Sequence, residues 1–264
     1  MSQPAMAPII LTAFSLSEAA IATNRVIENV IRNHYPDRPL FWAYNQRTVT
    51  RARQNGRNDI LLPHEILRNL AENNHSVAIM QSLHLLPGFE FHELQKEVRC
   101  CQGLDCRIGL PLFSSPSDYH LLLDLLAPTI MQNRDCAVLV IGHGTRHPVW
   151  TAYLALESML RQRFGERLFV GVLEHYPKTD QVVHTIAEKG YRQVLLIPFF
   201  LSYGLHVERD MLGDNSHSLK NTLENHGIEI DVMHHGIGMI PGIGELVVRH
   251  IDEADNRAQH NHDA

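Results

Sequence analysis

The sequence predicts an α/β protein of two similar α/β domains, each with a central parallel sheet flanked by helices, and an active cleft between them. Three observations carry this expectation. Short, continuous apolar runs recur along the chain, as strands buried on both faces of a parallel sheet require. Stretches with helical apolar spacing separate them, the alternation expected of α/β layers. The order of these elements in the first half of the 264 residues is repeated in the second.

The elements follow in order. Pro8–Phe14 reads as a strand and Leu16–His34 as a long helix, with Ala20, Val26, Ile27, Val30 and Ile31 on its apolar face. Leu40–Tyr44 is a second strand, Pro63–Asn73 a shorter helix, and Ser76–Gln81 and Arg107–Gly109 two further strands. The second half runs as strand Ala137–Gly142, helix Val149–Phe164 (apolar at Tyr153, Leu156, Met159 and Leu160), strand Leu168–Leu173, helix Thr179–Lys189, and strands Gln193–Pro198 and Glu229–Met233. This gives an N-terminal domain over 1–130 and a C-terminal domain over 131–253. Residues 254–264 are expected to be a disordered tail, because the ending NRAQHNHDA is polar throughout.

Composition narrows the function. With 44% hydrophobic and 20% charged residues the chain has the composition of a globular protein. A net charge of -6 with no basic run argues against nucleic acid as a partner. No segment approaches the ~18 uninterrupted apolar residues of a membrane span, so no membrane partner is expected. The apolar APIILTAF has no basic residue before it, the first being Arg25, which argues for a core strand rather than a signal peptide and for a cytoplasmic chain. Cys100, Cys101, Cys106 and Cys136 lack the paired spacing of a structural zinc site and are expected to be free thiols. Self-association into a homo-oligomer is compatible with all of this.

The repeat aligns specific positions. Phe14 corresponds to His143, the neighbourhood of Asn45 to Glu174, and Gly88-Phe89-Glu90 to Gly204-Leu205-His206. All fall at the carboxyl ends of strands, where open α/β sheets bind ligands. Gly142 and Gly144 flank His143 and leave it unshielded; the alternative is a loop histidine satisfied by a carbonyl. Glu174 directly follows an apolar strand, which either metal or proton chemistry or an ordinary helix cap explains. His206 lies in the loop that Pro198 and Gly204 open. Two imidazoles and one carboxylate from three strand ends form a reasonable set for a divalent first-row metal with open coordination positions. The N-terminal half has no such set and would supply a wall for an organic substrate.

Five segments, QSLHLLPGFEF, GLPLFSSPSDY, VIGHGTRHP, VLEHYP and PFFLSYGLHVERDM, resemble the class II tetrapyrrole chelatases, specifically the anaerobic sirohydrochlorin cobaltochelatases of the CbiK type, over about Pro8 to Asp252. The resemblance implies that His143, Glu174 and His206 bind the metal and that His143 also accepts a pyrrole proton. It implies a sirohydrochlorin-like tetrapyrrole as partner and a divalent metal as substrate, Co2+ first with Ni2+ or Fe2+ as alternatives, without an organic cofactor. His84, Glu90, Ser202 and Tyr203 in these segments, with Phe14 and Ser15 at the end of the first strand, are put forward as substrate-binding residues. One departure is AFSLS at Ala13–Ser17, where the family commonly has an FGTS-like turn, so the turn facing the substrate is expected to be shaped differently.

Sirohydrochlorin is polyanionic, so the acidic chain needs local donors. Arg47, Arg51, Arg53, Arg146 and Arg209 are candidates, as are Ser114, Ser115 and Ser117; the alternative is a solvated basic face. Competing classes are a metal-dependent hydrolase using the same ligands, a metal or tetrapyrrole carrier suggested by the 18 histidines, and a two-lobed solute-binding protein, which would need an export signal.

Overall fold

A computed structural model describes residues 6–214 and 218–256, and of residues 205–207 the backbone alone. The chain divides into two compact units, Met1–Ser114 with Gly242–Ala264, and Ser115–Pro241.

In the first unit, strands β1 (Ile9–Ala13), β2 (Leu40–Tyr44), β3 (Val77–Ser82) and β4 (Asp105–Gly109) form one parallel sheet in the order β2-β1-β3-β4. Helices α1 (Glu18–His34), α2 (Gln46–Gln54), α3 (Pro63–Glu72) and α4 (Phe89–Arg99) connect the strands. Every residue of central β1 is buried, which is why it reads as an unbroken apolar run. Ile10, Ala43, Ile66, Leu67, Met80 and Phe91 lie in one core cluster.

The second unit repeats the arrangement. After α5 (Pro116–Gln132), strands β5 (Ala137–Gly142), β6 (Leu168–Val172), β7 (Gln193–Pro198) and β8 (Glu229–Val232) form a parallel sheet in the order β6-β5-β7-β8. Its helices are α6 (Thr151–Phe164), α7 (Thr179–Glu188), α8 (Leu205–Leu212) and α9 (Leu219–Asn225). Leu139, Ile141, Phe169, Ile186 and Leu196 are among the buried core.

Caps written into the sequence start several helices. Ser17 Oγ accepts the Ala20 N–H at the head of α1, and Asn45 Oδ1 accepts the Thr48 N–H of α2 at 2.9 Å. Ser115 and Asp118 exchange hydrogen bonds at the head of α5, with Pro116 in its first turn.

The last helix, α10 (Ile243–Asn256), belongs with the first unit, and α5 belongs with the second, where the sequence pattern suggested one cut after residue 130. The physical reason is packing: α10 buries Ile243, Leu246, Val247 and Ile251 and lies against α1, β3 and β4. His250 Nδ1 sits 3.0 Å from the Leu110 carbonyl, Tyr35 donates its hydroxyl to Asp252, and Arg38 and Arg107 both pair with Asp255 at 3.0 Å. The start of the expected tail is therefore helical: Ala254, Asp255 and Asn256 end α10, and residues 257–264 lie outside the described residues. No helix among the described residues is long and apolar enough to cross a membrane.

Candidate metal and tetrapyrrole site

In the second unit the predicted ligands sit at the carboxyl ends of adjacent strands. His143 is the first residue after central β5, and Glu174 lies two residues beyond neighbouring β6. Two backbone bonds join the strand ends, Leu173 N–H donating to the Gly142 carbonyl and Glu174 N–H to the His143 carbonyl, each at 2.9 Å. This holds the two residues side by side, with both side chains exposed.

The glycines around His143 are steric requirements. Gly144 has φ +89°, a conformation that disfavours any residue with a Cβ, and a Cβ there would overlap the Glu174 carbonyl oxygen. A Cβ on Gly142 would overlap the ring of Tyr153, a buried residue of α6. His143 Nδ1 lies 3.3 Å from the Gly144 carbonyl, which favours the tautomer with its proton on Nδ1 and a lone pair on Nε2. That lone pair is what either a metal ion or a transferred proton needs.

Two further groups approach. The Phe200 ring, from the loop after β7, stands edge-on to His143 with centroids 6.5 Å apart. His175 takes φ +74°, unusual for a side-chain-bearing residue, and its Nε2 comes to 3.7 Å from Glu174 Oε2. Sequence reasoning passed over His175 because nothing in a sequence announces a left-handed histidine.

His206 occupies the first turn of α8, which Gly204 caps, after central β7. Its backbone therefore emerges from the same end of the sheet, while its side chain lies outside the described residues. Among the described residues no group of three or more His, Cys, Asp or Glu side chains is arranged to hold a metal. What topology brings together directly is the His143–Glu174 pair. In the same loop Ser202 and Tyr203 are half-buried. Tyr203 turns its ring edge-on to His234 at 6.5 Å, and its hydroxyl is buried without a hydrogen bond among the described residues. Burial, followed by the nearby Glu208, pushes that phenol upward from its ordinary value.

The first unit carries the equivalent positions with different chemistry. Phe14 follows β1, and its ring lies 4.2 Å from that of His84, between centroids. His84 Nδ1 is 2.8 Å from Ser82 Oγ, and its Nε2 is 3.5 Å from the carboxylate of Glu90, in the first turn of α4. Gly88 caps α4 as Gly204 caps α8, so the repeat read from sequence holds in the backbone. Four residues before each cap stand His84 and Phe200, while Phe14 and His143 directly follow the central strands β1 and β5. The imidazole and phenyl rings have thus exchanged places between the two units. Ser15 Oγ accepts the Ser17 N–H at 3.1 Å and so shapes the AFSLS turn.

The candidate donors for anionic substrate groups separate. Arg53 is committed to both oxygens of Glu65 at 2.7 Å, Ser114 donates to the Pro111 carbonyl, and Ser115 and Ser117 bond each other at the head of α5. Arg47, Arg51, Arg146 and Arg209 are exposed.

The family of cobalt chelatase (CbiK) matches residues 9–256. A sirohydrochlorin cobaltochelatase of Salmonella typhimurium is 34% identical over 230 residues, 84% of this chain and 86% of that one. Sirohydrochlorin cobaltochelatase CbiKC of Nitratidesulfovibrio vulgaris is 27% identical, covering 93% of this chain and 89% of its own. In fold the chain is similar to SirB from Bacillus subtilis with Fe3+, at TM-score 0.66 and 11% identity over 97% of this chain and 98% of that one.

Proposed function

Because the chain belongs to the cobalt chelatase (CbiK) family, we propose that it inserts Co2+ into sirohydrochlorin at the strand ends that carry His143, Glu174 and His206. The observation that carries the residue assignment is the backbone bond between Glu174 N–H and the His143 carbonyl, which sets one imidazole and one carboxylate beside each other at the carboxyl edge of the sheet.

Insertion exchanges two pyrrole N–H protons for one divalent cation. His143, with a lone pair on Nε2, is suited both to hold the metal and to take a proton. Glu174 adds negative charge that attracts the cation, and His206 completes a set of few, exchangeable ligands, so the metal can be passed on to the ring nitrogens. Phe14, Ser15, His84, Glu90, Ser202 and Tyr203 are the substrate contacts in this reading. Exposed Arg47, Arg51, Arg146 and Arg209 supply charge for the substrate carboxylates. Ni2+ and Fe2+ suit the same donors and are alternative substrates. All four cysteines are free, which fits a reducing cytoplasm.

The test is anaerobic metallation of sirohydrochlorin with Co2+, followed by absorbance, with His143→Ala as control. Turnover by the wild type that the substitution reduces to the uncatalysed rate is expected. A wild-type rate equal to the uncatalysed one for Co2+, Ni2+ and Fe2+ would overturn the reading in favour of a metal or tetrapyrrole carrier.

A further inference from the structure

The geometry points to Tyr153 as the positioning residue that aims His143. This inference rests on His143 being the metal-holding, proton-accepting group proposed above.

Tyr153 stands on α6, and its ring is buried behind the Gly142–Gly144 turn. Its hydroxyl oxygen accepts the Gly144 N–H at 3.2 Å. Its ring fills the space that a side chain on Gly142 would occupy. Both neighbours of His143 are thus fixed by one side chain. From the opposite side the same turn is held by the segment that follows β6, through the Glu174 N–H bond to His143 and the Glu174 carbonyl beside Gly144. The Tyr153 ring is itself held edge-on by Phe199 at 6.3 Å, and Phe199 N–H donates to the Ile141 carbonyl at 2.7 Å. The next residue, Phe200, meets the His143 ring. Successive phenylalanines of one loop therefore support the positioning residue and the residue it positions.

Burial pushes the Tyr153 phenol upward, so its oxygen remains a neutral acceptor. Loss of that acceptor leaves the Gly144 N–H without this partner, and the turn, still held from the Glu174 side, can shift His143. A displacement of this kind is felt in turnover because metal transfer depends on the angle of the imidazole.

Tyr153→Phe removes the oxygen and keeps the ring that packs on Gly142 and Phe199. The first readout is NMR of 15N-labelled imidazoles in the full chain, with His143 signals assigned by their loss in His143→Ala. In Tyr153→Phe the His143 signals are expected to move while those of the other imidazoles stay in place. The second readout is metallation, where kcat is expected to fall about tenfold, as for one lost hydrogen bond to the turn, with KM for sirohydrochlorin unchanged. Gly142→Ala, which presses on the same ring from the strand side, is expected to move the same His143 signals. His143 resonances that overlay those of the wild type in both variants would overturn the proposal, as would an unchanged kcat in Tyr153→Phe. The NMR readout needs no substrate. A wild type that fails to metallate therefore sinks the chelatase reading of the site while the positioning role is still decided.

Discussion

The amide of Glu174 donates to the carbonyl of His143 at 2.9 Å, one residue beyond the last paired residue of β5 and two beyond that of β6. This bond and the left-handed Gly144 behind it hold His143 and Glu174 beside each other at the carboxyl edge of the sheet, as the proposed site requires. Gly144→Ala tests the arrangement. Its Cβ would enter the space of the Glu174 carbonyl in a conformation already disfavoured by about 1–2 kcal/mol for a non-glycine residue. The expected outcome is a loss of about 2–3 kcal/mol, a melting temperature lower by about 5–10 °C, and metallation reduced to background. Calorimetry and the absorbance assay check it; an alanine variant that melts and turns over like the wild type would show that the turn is not constrained.

Glu174 contributes charge rather than packing, because its side chain is 61% exposed. Glu174→Gln should therefore leave the melting temperature within about 1 °C of the wild type while weakening Co2+ binding at least about tenfold, or about 1.4 kcal/mol. Titration of the visible Co2+ spectrum measures this without any tetrapyrrole. Equal affinity in the two proteins would remove Glu174 from the ligand set and shift attention to His175, 3.7 Å away.

The cysteines make a separate prediction about pH. Burial, then the neighbouring Cys101 and Asp105, pushes the Cys106 thiol up to about 12 from an ordinary value of 9.0. A raised value in the folded state means that the unfolded chain loses this proton first as pH rises. The contribution is intact below about 9 and is lost on going up through the folded value, with a slope of at most about 1.4 kcal/mol per pH unit. Melting curves between pH 8 and 10 should fall more steeply for the wild type than for Cys106→Ala. With iodoacetamide at pH 8, exposed Cys100 should be labelled well before Cys106 and buried Cys136. Mass spectrometry showing Cys106 labelled as fast as Cys100 would contradict this account.

The strands and the two-fold repeat were legible because burial on both faces forces continuous apolar runs, and Ala137–Gly142 and Gln193–Pro198 have the predicted ends. Helix α2 gave no such signal: QRTVTRARQ buries only Val49 and Ala52, and its start depends on the Asn45 cap. The GHG turn was legible as a motif, but its reason was not. Tyr153 reads in sequence as one more residue on an apolar helix face, and its contact with Gly144 exists only once α6 lies on the sheet. The exchange of α5 and α10 between the units was hidden for the same reason. Gly244 of α10 is small because Val30 of α1 comes within 2.7 Å of where its Cβ would be, a relation across most of the chain that no local pattern encodes.

The end of α10 supplies the last prediction. Arg38, whose side chain is only 6% exposed, has Asp255 as its counter-charge, and Arg107 reaches both the carboxylate and the carbonyl of the same residue. Asp255→Ala leaves a buried guanidinium without that carboxylate. Loss of a fully buried partner costs about 3–5 kcal/mol, and because Asp255 is itself 37% exposed the expected cost here is about 2 kcal/mol, or about 4–8 °C in melting temperature. Asp255→Asn, which can still accept a hydrogen bond, should lose less. Both differences should persist at 1 M salt, since a pair sheltered on the Arg38 side is screened far less than a surface pair. If Asp255→Ala melts within 1 °C of the wild type, the apolar face of α10 alone holds that helix in the first unit, and the ion pairs are incidental to it.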